Sequence, residues 1–193
     1  KWIRMVALNR LTGHSPGFFS VYTMPPNQAV TVEAQKQINE KRKQIPPQRD
    51  VPTLILKKSN SLLKNGYIVD DRSYALLAAS ADSTPKINNG AVDLVVTSPP
   101  FLDVVQYTTD NWLRCWFLGI DPASVSIAMH KKPDEWTDFI HQVFKELGRV
   151  VRPGGHVAFE VGEVKNGSVE LESLVLETIE GLPFSPLCVV VNS

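Results

Sequence analysis

Apolar positions in the C-terminal two-thirds of the chain fall into two kinds of run. Three are short and continuous: 92–97 (VDLVVT), 156–161 (HVAFEV) and 187–192 (LCVVVN). None alternates strictly, which predicts strands covered on both faces of a parallel sheet. Two are helical in period. Trp136, Phe139, Ile140, Val143, Phe144 and Leu147 recur at i, i+3, i+4, i+7, i+8 and i+11, the stripe of an amphipathic helix. Asp134 and Glu135 suit its N-terminus, and Pro153 is expected to stop it. Leu171, Leu174, Val175 and Ile179 form the second stripe, with Ser168 as N-cap and Gly181 as C-cap. The order strand, helix, strand, helix, strand predicts parallel neighbours joined by right-handed crossovers.

A shorter helix is expected over Asn111–Leu118, inside the first crossover, ended by Gly119 and Asp121-Pro122. Upstream the signals weaken. Tyr67-Ile68-Val69 reads as a strand ending at Asp70-Asp71, and 81–90 reads as a loop. Residues 31–44 look helical and very polar. Residues 13–28 are turn-rich and aromatic. The chain carries no internal repeat.

Of 193 residues, 43% are hydrophobic and 21% charged, enough apolar side chain for a core and too much for a disordered segment. Two cysteines, Cys115 and Cys188, make neither a disulfide scaffold nor a cysteine-based zinc site, and both are expected to pack as small apolar groups. No apolar run approaches the roughly 20 residues of a membrane span. With no signal-peptide pattern, the expected compartment is the cytoplasm and no membrane partner is expected. The chain opens on Lys1 and is expected to be a piece of a longer protein. Net charge is zero, yet 1–66 holds 11 Lys and Arg against 3 Asp and Glu, whereas 67–193 holds 9 against 17. This asymmetry divides the chain into a basic segment, 1–66, facing a polyanion or serving an accessory role, and an acidic globular region, 67–193.

In an open α/β sheet, ligands bind beyond the carboxyl ends of the strands. Thr97-Ser98-Pro99-Pro100-Phe101, Gly162-Glu163 and Asn192-Ser193 all fall there. Two consecutive prolines fix two φ angles and remove two N–H donors, and Pro99 biases Ser98 away from the helical region. The turn therefore offers acceptors, the Ser98 hydroxyl and the backbone carbonyls, with an aromatic ring beside them. Such a surface suits a planar group bearing an exocyclic amine.

The segment 92–101, VDLVVTSPPF, resembles the catalytic motif of DNA methyltransferases that methylate an exocyclic amine, the N4-cytosine and N6-adenine enzymes with a [DNS]-P-P-[YFW] signature. ELGRVVRPGG at 146–155, and the helix and strand around it, are also similar to that family, so the resemblance spans roughly 67–193. It implies a Rossmann-like class I methyltransferase sheet, α/β, mostly parallel with helices on both faces, and incomplete within this chain. It implies S-adenosyl-L-methionine as cofactor and double-stranded DNA as substrate, with the target base flipped out of the stack. Ser98 and the Pro99 carbonyl would accept hydrogen bonds from the amine, Pro100 would shape the turn, and Phe101 would stack on the base. A serine at the first motif position favours N4-cytosine over N6-adenine. A cognate restriction enzyme is a further partner the resemblance implies.

The family's glycine-rich cofactor motif is missing from the sequence. Asp70 or Asp71 could match its acidic residue near the cofactor adenine, or be a solvated loop pair. Thr97 and Glu163 are placed on the cofactor side, with a plain surface carboxylate the competing reading for Glu163. Lys41, Arg42 and Lys43, within a basic stretch running to Lys64, are candidates for phosphate contact, as are Arg114, Lys131 and Lys132; solvated charge is the alternative. Phe18, Phe19 and Tyr22 could stack on bases or pack in the core. The four histidines show no metal-ligand spacing. Two other functions stay open: a non-catalytic nucleic-acid-binding subunit that keeps the fold, and an RNA guanine-N2 methyltransferase.

Overall fold

The computed structural model describes residues 1–20, 30–66, 73–100, 102, 107–126, 128–162 and 169–191. The chain forms two compact units, each built from two stretches: Lys1–Arg72 with Gln106–Ile127, and Ser73–Val105 with Ala128–Ser193.

The first unit is helical. Helix α1 (Trp2–Leu8) buries Val6 and Ala7 and packs on α3 (Val51–Leu62), where the Trp2 indole donates to Ser59 Oγ at 3.0 Å. After α1 the chain folds back on itself. Phe19 N–H donates to Arg10 O and Gly13 N–H to Ser20 O, while the Arg10 guanidinium lies 4.0 Å from the centre of the Phe18 ring. Gly13 is required there, because a Cβ would meet that ring at 2.5 Å. Helix α2 (Val32–Lys41) starts at Thr31, whose hydroxyl accepts from Ala34 N–H, and α3 starts at Asp50, whose carboxylate accepts from the Thr53 N–H and hydroxyl. Those two bonds hold the Asp50 carboxyl below its ordinary range. Neither helix buries a residue fully.

Two short helices from the later stretch belong to this unit, α4 (Tyr107–Asp110) and α5 (Trp112–Leu118), followed by a 3-10 turn at Pro122–Ser124. Asn111 is the N-cap of α5, and Gly119 closes it at φ 70°, a conformation glycine adopts freely. The expectation for 111–118 holds to within a residue. The sequence reading had no counterpart for α1 or α3.

The second unit is mixed α/β. Strand β1 (Val92–Thr97) runs parallel to β2 (Val151–Phe159), with α6 (Pro133–Val150) between them in sequence and α7 (Leu171–Thr178) after. The stripe expected on α6 is the core: Trp136, Ile140, Val143, Phe144 and Leu147 are all buried, with Leu102, Val150, Leu171 and Ile179 completing the cluster. Each fully buried side chain of this size contributes about 1.5–3 kcal/mol, so α6 carries the largest share of the unit's stability. Phe144 packs between Phe159 of β2, tilted at 5.0 Å, and Phe184, edge to face at 5.4 Å. The acidic pair Asp134 and Glu135 lies in the first turn of α6 as expected, and Pro133 opens the helix.

Four expectations are corrected. Pro153 does not stop α6; the helix ends at Val150, and Val151 at once takes extended geometry as the first residue of β2. Pairing passes from Val92↔Val151 to Leu94↔His156, so Arg152–Gly155 bulge out of the ladder. Gly155 is needed at the bulge, since a Cβ would sit 2.6 Å from Val151 Cγ1 and 3.0 Å from Asp93 O. Second, among the described residues the sheet is covered on one face only. Val95, Val157 and Phe159 pack against the core, whereas Leu94 and Val96 are 58% and 74% exposed. Third, Leu187–Val191 forms no strand; Leu187 and Val190 are 80% and 86% exposed, because neither edge of the two-stranded sheet receives them. Fourth, Cys188 is exposed instead of packed, while Cys115 is half-buried. The fold is therefore mixed α/β with a small parallel sheet. The strand expected at Tyr67–Val69 lies outside the described residues. Among the described residues no helix is long and apolar enough to cross a membrane.

Candidate functional site

Beyond the carboxyl end of β1 the chain enters Ser98-Pro99-Pro100, and it is pinned on both sides of that turn. The Thr97 carbonyl accepts from Glu160 N–H at 2.9 Å, extending the ladder one step past Thr97↔Phe159. The Pro100 carbonyl accepts from the indole Nε1–H of Trp136 at 3.0 Å. Two residues further on, Leu102 is fully buried in the core. A turn of two prolines has no N–H of its own at those positions. It can be tied to the fold only through its carbonyls and by the packing around it, and both ties are present.

The pins leave three acceptors between them, the Ser98 hydroxyl and the Ser98 and Pro99 carbonyls. Ser98 is exposed and Pro99 half-buried. Among the described residues nothing donates to the Ser98 hydroxyl or to the Pro99 carbonyl. The register of the parallel pair places this turn next to Glu160-Val161-Gly162, which follows β2. One sheet end therefore gathers Thr97, Ser98, Pro99 and Pro100 beside the start of the segment leading to Glu163. Thr97 is half-buried at the strand end. Phe101, Asp70, Asp71 and Glu163 lie outside the described residues.

The entrance to β1 is held by a different cluster. Glu146 on α6 accepts from Thr84 N–H at 2.7 Å and from the Thr84 hydroxyl. Arg149 donates to Ile87 O, Asn89 Oδ1 and Thr84 O at 2.7–3.0 Å, and to both oxygens of Glu146. Hydrogen bonds from Arg149 and then Thr84 hold the Glu146 carboxyl at about 2. The Glu146 partner raises Arg149 above its ordinary value. This network fixes the loop at 84–90 against α6 and so sets where β1 begins. Its carboxylate is fully engaged and its role is architectural. Arg152 also pairs with Asp93 across the bulge, an exposed pair of small energetic weight.

The basic candidates divide between the two units. Lys41, Arg42 and Lys43 are exposed at and beyond the end of α2, in the first unit, where Lys43 takes a left-handed φ of 48°. Arg114 is half-buried on α5 and donates to Asn111 Oδ1 at 2.8 Å, so it serves its own helix start. In the second unit Lys131 and Lys132 are exposed just before α6, with Lys132 Nζ 3.6 Å from Glu135. The neighbouring His130 turns inward. Its ring lies 5.2 Å from that of Phe139, and its Nε2 is buried without a hydrogen-bond partner. His141 bonds through Nδ1 to Thr178 O at 3.0 Å, joining α6 to α7. Among the described residues no group of three or more His, Cys, Asp or Glu could hold a metal ion.

Sequence reasoning missed Trp136 as a site residue. It appeared only as the first position of a helical stripe; the signal that could have found it is a tryptophan, which needs a partner for its N–H when buried, facing a turn that offers only acceptors.

Neither Gly13 nor Gly155 leaves room for the methionine end of S-adenosylmethionine. A cradle for its methionine end needs close backbone approach at glycines after a strand. Gly13 is filled by the Phe18 ring and Gly155 by Val151 and Asp93. The described segment after β1 is instead Ser98-Pro99-Pro100. No protein-family model, curated protein or solved structure matches the chain.

Proposed function

We propose that the Ser98–Pro100 turn is the recognition site for an exocyclic amine of a nucleobase, and that the chain is the amine-binding part of an S-adenosylmethionine-dependent DNA methyltransferase. The observation that carries this reading is the turn pinned at Thr97 and Pro100, with the Ser98 hydroxyl and the Pro99 carbonyl unengaged between the pins among the described residues. An exocyclic amine has two N–H donors. Two fixed acceptors facing it draw those protons out of the plane of the base. The nitrogen then gains tetrahedral character and its lone pair leaves conjugation with the ring. That lone pair is the nucleophile, and no strong base is needed when the proton departs after transfer. Acceptors set in place before reaction cost no reorganisation when charge develops. Phe101, next in sequence, is the ring on which a flipped base would stack.

The substrate class is double-stranded DNA, with N4-cytosine ahead of N6-adenine on the serine at the first motif position. The exposed cations Lys41, Arg42, Lys43 and Lys131 supply phosphate contact in this reading. A second reading, a non-catalytic nucleic-acid-binding subunit that keeps the fold, is favoured by one observation, the crowding at Gly13 and Gly155. Incubating the protein, expressed from its full reading frame, with methyl-labelled S-adenosylmethionine and either DNA or RNA separates the readings. Label on N4 of cytosine or N6 of adenine after nucleoside digestion is the expected result. Label on guanine N2 of RNA favours an RNA enzyme, and label on neither favours the binding subunit.

A further inference from the structure

We infer that Trp136 is a positioning residue for the amine site: by holding the Pro100 carbonyl, its indole N–H determines which acceptors of the Ser98–Pro100 turn remain for substrate. The inference rests on the amine reading above and names what keeps that site in register.

Trp136 is 1% exposed and stands on the first turn of α6, within the cluster that also holds Ile140 and Leu102. A buried indole N–H without a partner is costly. Here it meets the Pro100 carbonyl at 3.0 Å. The reciprocal need is equally plain. Pro99 and Pro100 cannot donate, so no ladder or turn bond of their own holds them. The Glu160–Thr97 bond fixes the strand side of the turn, and Trp136 fixes the far side. Without the second pin, Pro100 O would be a further free acceptor, and the carbonyl of Pro99 could swing away from its place beside the Ser98 hydroxyl. An acceptor displaced by about 1 Å costs on the order of a hundredfold in rate, whereas binding of the DNA backbone, made elsewhere, is indifferent to it.

Replacing Trp136 by a smaller residue would open the core, so the test uses an isostere. β-(3-Benzothienyl)alanine at position 136 keeps the bicyclic shape and replaces the N–H by sulfur. 4-Fluorotryptophan at the same position keeps the N–H and is the rescue control. Both are incorporated into the full-length protein, and thermal unfolding, KM for DNA and kcat for methyl transfer are measured. The benzothienyl protein is expected to hold its KM within about twofold and lose kcat by about tenfold to a hundredfold. The fluorotryptophan protein is expected to match wild type. An unchanged kcat in the benzothienyl protein, with wild type active, overturns the positioning role alone. Equal losses in KM and kcat, or a loss that fluorotryptophan shares, also overturn it, since they reduce Trp136 to packing. A wild-type protein that transfers no methyl group to any exocyclic amine overturns the amine reading and this assignment with it.

Discussion

On α6 the Glu146 carboxylate and the Arg149 guanidinium meet through two hydrogen bonds, Nη2–Oε1 at 2.6 Å and Nε–Oε2 at 2.8 Å. A bidentate pair three residues apart on one helix is rigid enough to serve as a platform. Thr84, Ile87 and Asn89 are all hung on it. The start of β1, and hence the place where Ser98 emerges, depends on a cluster at the opposite end of the strand.

The cluster predicts an acid-sensitive contribution to stability. Arg149 and Thr84 hold the Glu146 carboxyl at about 2, against an ordinary value of 4.5. A carboxyl whose folded value is depressed stabilises fully above its unfolded value and loses that stabilisation as pH falls through the folded value. Glu146→Gln does not titrate. At neutral pH it should unfold a few degrees below wild type, the size expected from about 1 kcal/mol. The gap between the two should narrow as pH falls from about 4.5 towards 2. Thermal unfolding across that range reads it, and a gap independent of pH would show that Glu146 acts without its charge.

Gly155→Ala tests the bulge. The added methyl would meet Val151 Cγ1 at 2.6 Å and two backbone oxygens, of Arg152 and Asp93, at 3.0 Å. Backbone cannot step aside as a flexible side chain can, so the variant should lose about 1–3 kcal/mol in a denaturant titration. A neutral outcome would mean that the strands pair in another register.

Replacing Lys41, Arg42 and Lys43 together by Gln should weaken binding to all DNA sequences alike and flatten the dependence of affinity on salt. These are the marks of lost phosphate contacts. Fluorescence anisotropy at several salt concentrations measures both. A loss confined to one preferred sequence would assign the three residues to base reading, and unchanged binding would make them a solvated helix end.

Isolated as the 193-residue chain, the protein should bind S-adenosylmethionine weakly, since the described segment after β1 holds two prolines with no N–H to offer the donor. Calorimetric titration measures this. Micromolar affinity with a stoichiometry near one would place a complete cofactor site within 1–193, and Asp70 and Asp71 would then be the first residues to substitute.

How far the sequence could be read depended on whether a signal was local. The stripe from Trp136 to Leu147 is a local statement, and α6 follows it closely. Asn111 and Gly119 bracket α5 as cap residues do. The apolar run at 187–191 carried an equally clear strand signal, yet pairing is a property of the sheet edge that receives a strand, and no edge receives this one. The alternation of Val95 and Val157 with exposed Leu94 and Val96 was hidden for the same reason, because all four are apolar and only packing distinguishes the faces. Helix α3 was legible after all. Asp50 before Val51-Pro52-Thr53 is a capped start with proline in the first turn, but the lysines downstream drew the reading towards charge. At the site, the Ser98-Pro99-Pro100 turn was visible as a rigid set of acceptors. Its second pin was not, because Trp136 reaches it from 36 residues away.

In the proposed reaction the Ser98 hydroxyl acts on the substrate amine and contributes little to holding DNA. Ser98→Ala tests it most directly, with DNA affinity and single-turnover methyl transfer measured on one preparation of the full-length protein. Affinity should stay within about twofold of wild type while the transfer rate falls by about a hundredfold, the loss expected when one preorganised hydrogen-bonding group is removed from a transition state. A variant that transfers methyl groups at the wild-type rate would contradict the account and leave Ser98 a turn residue.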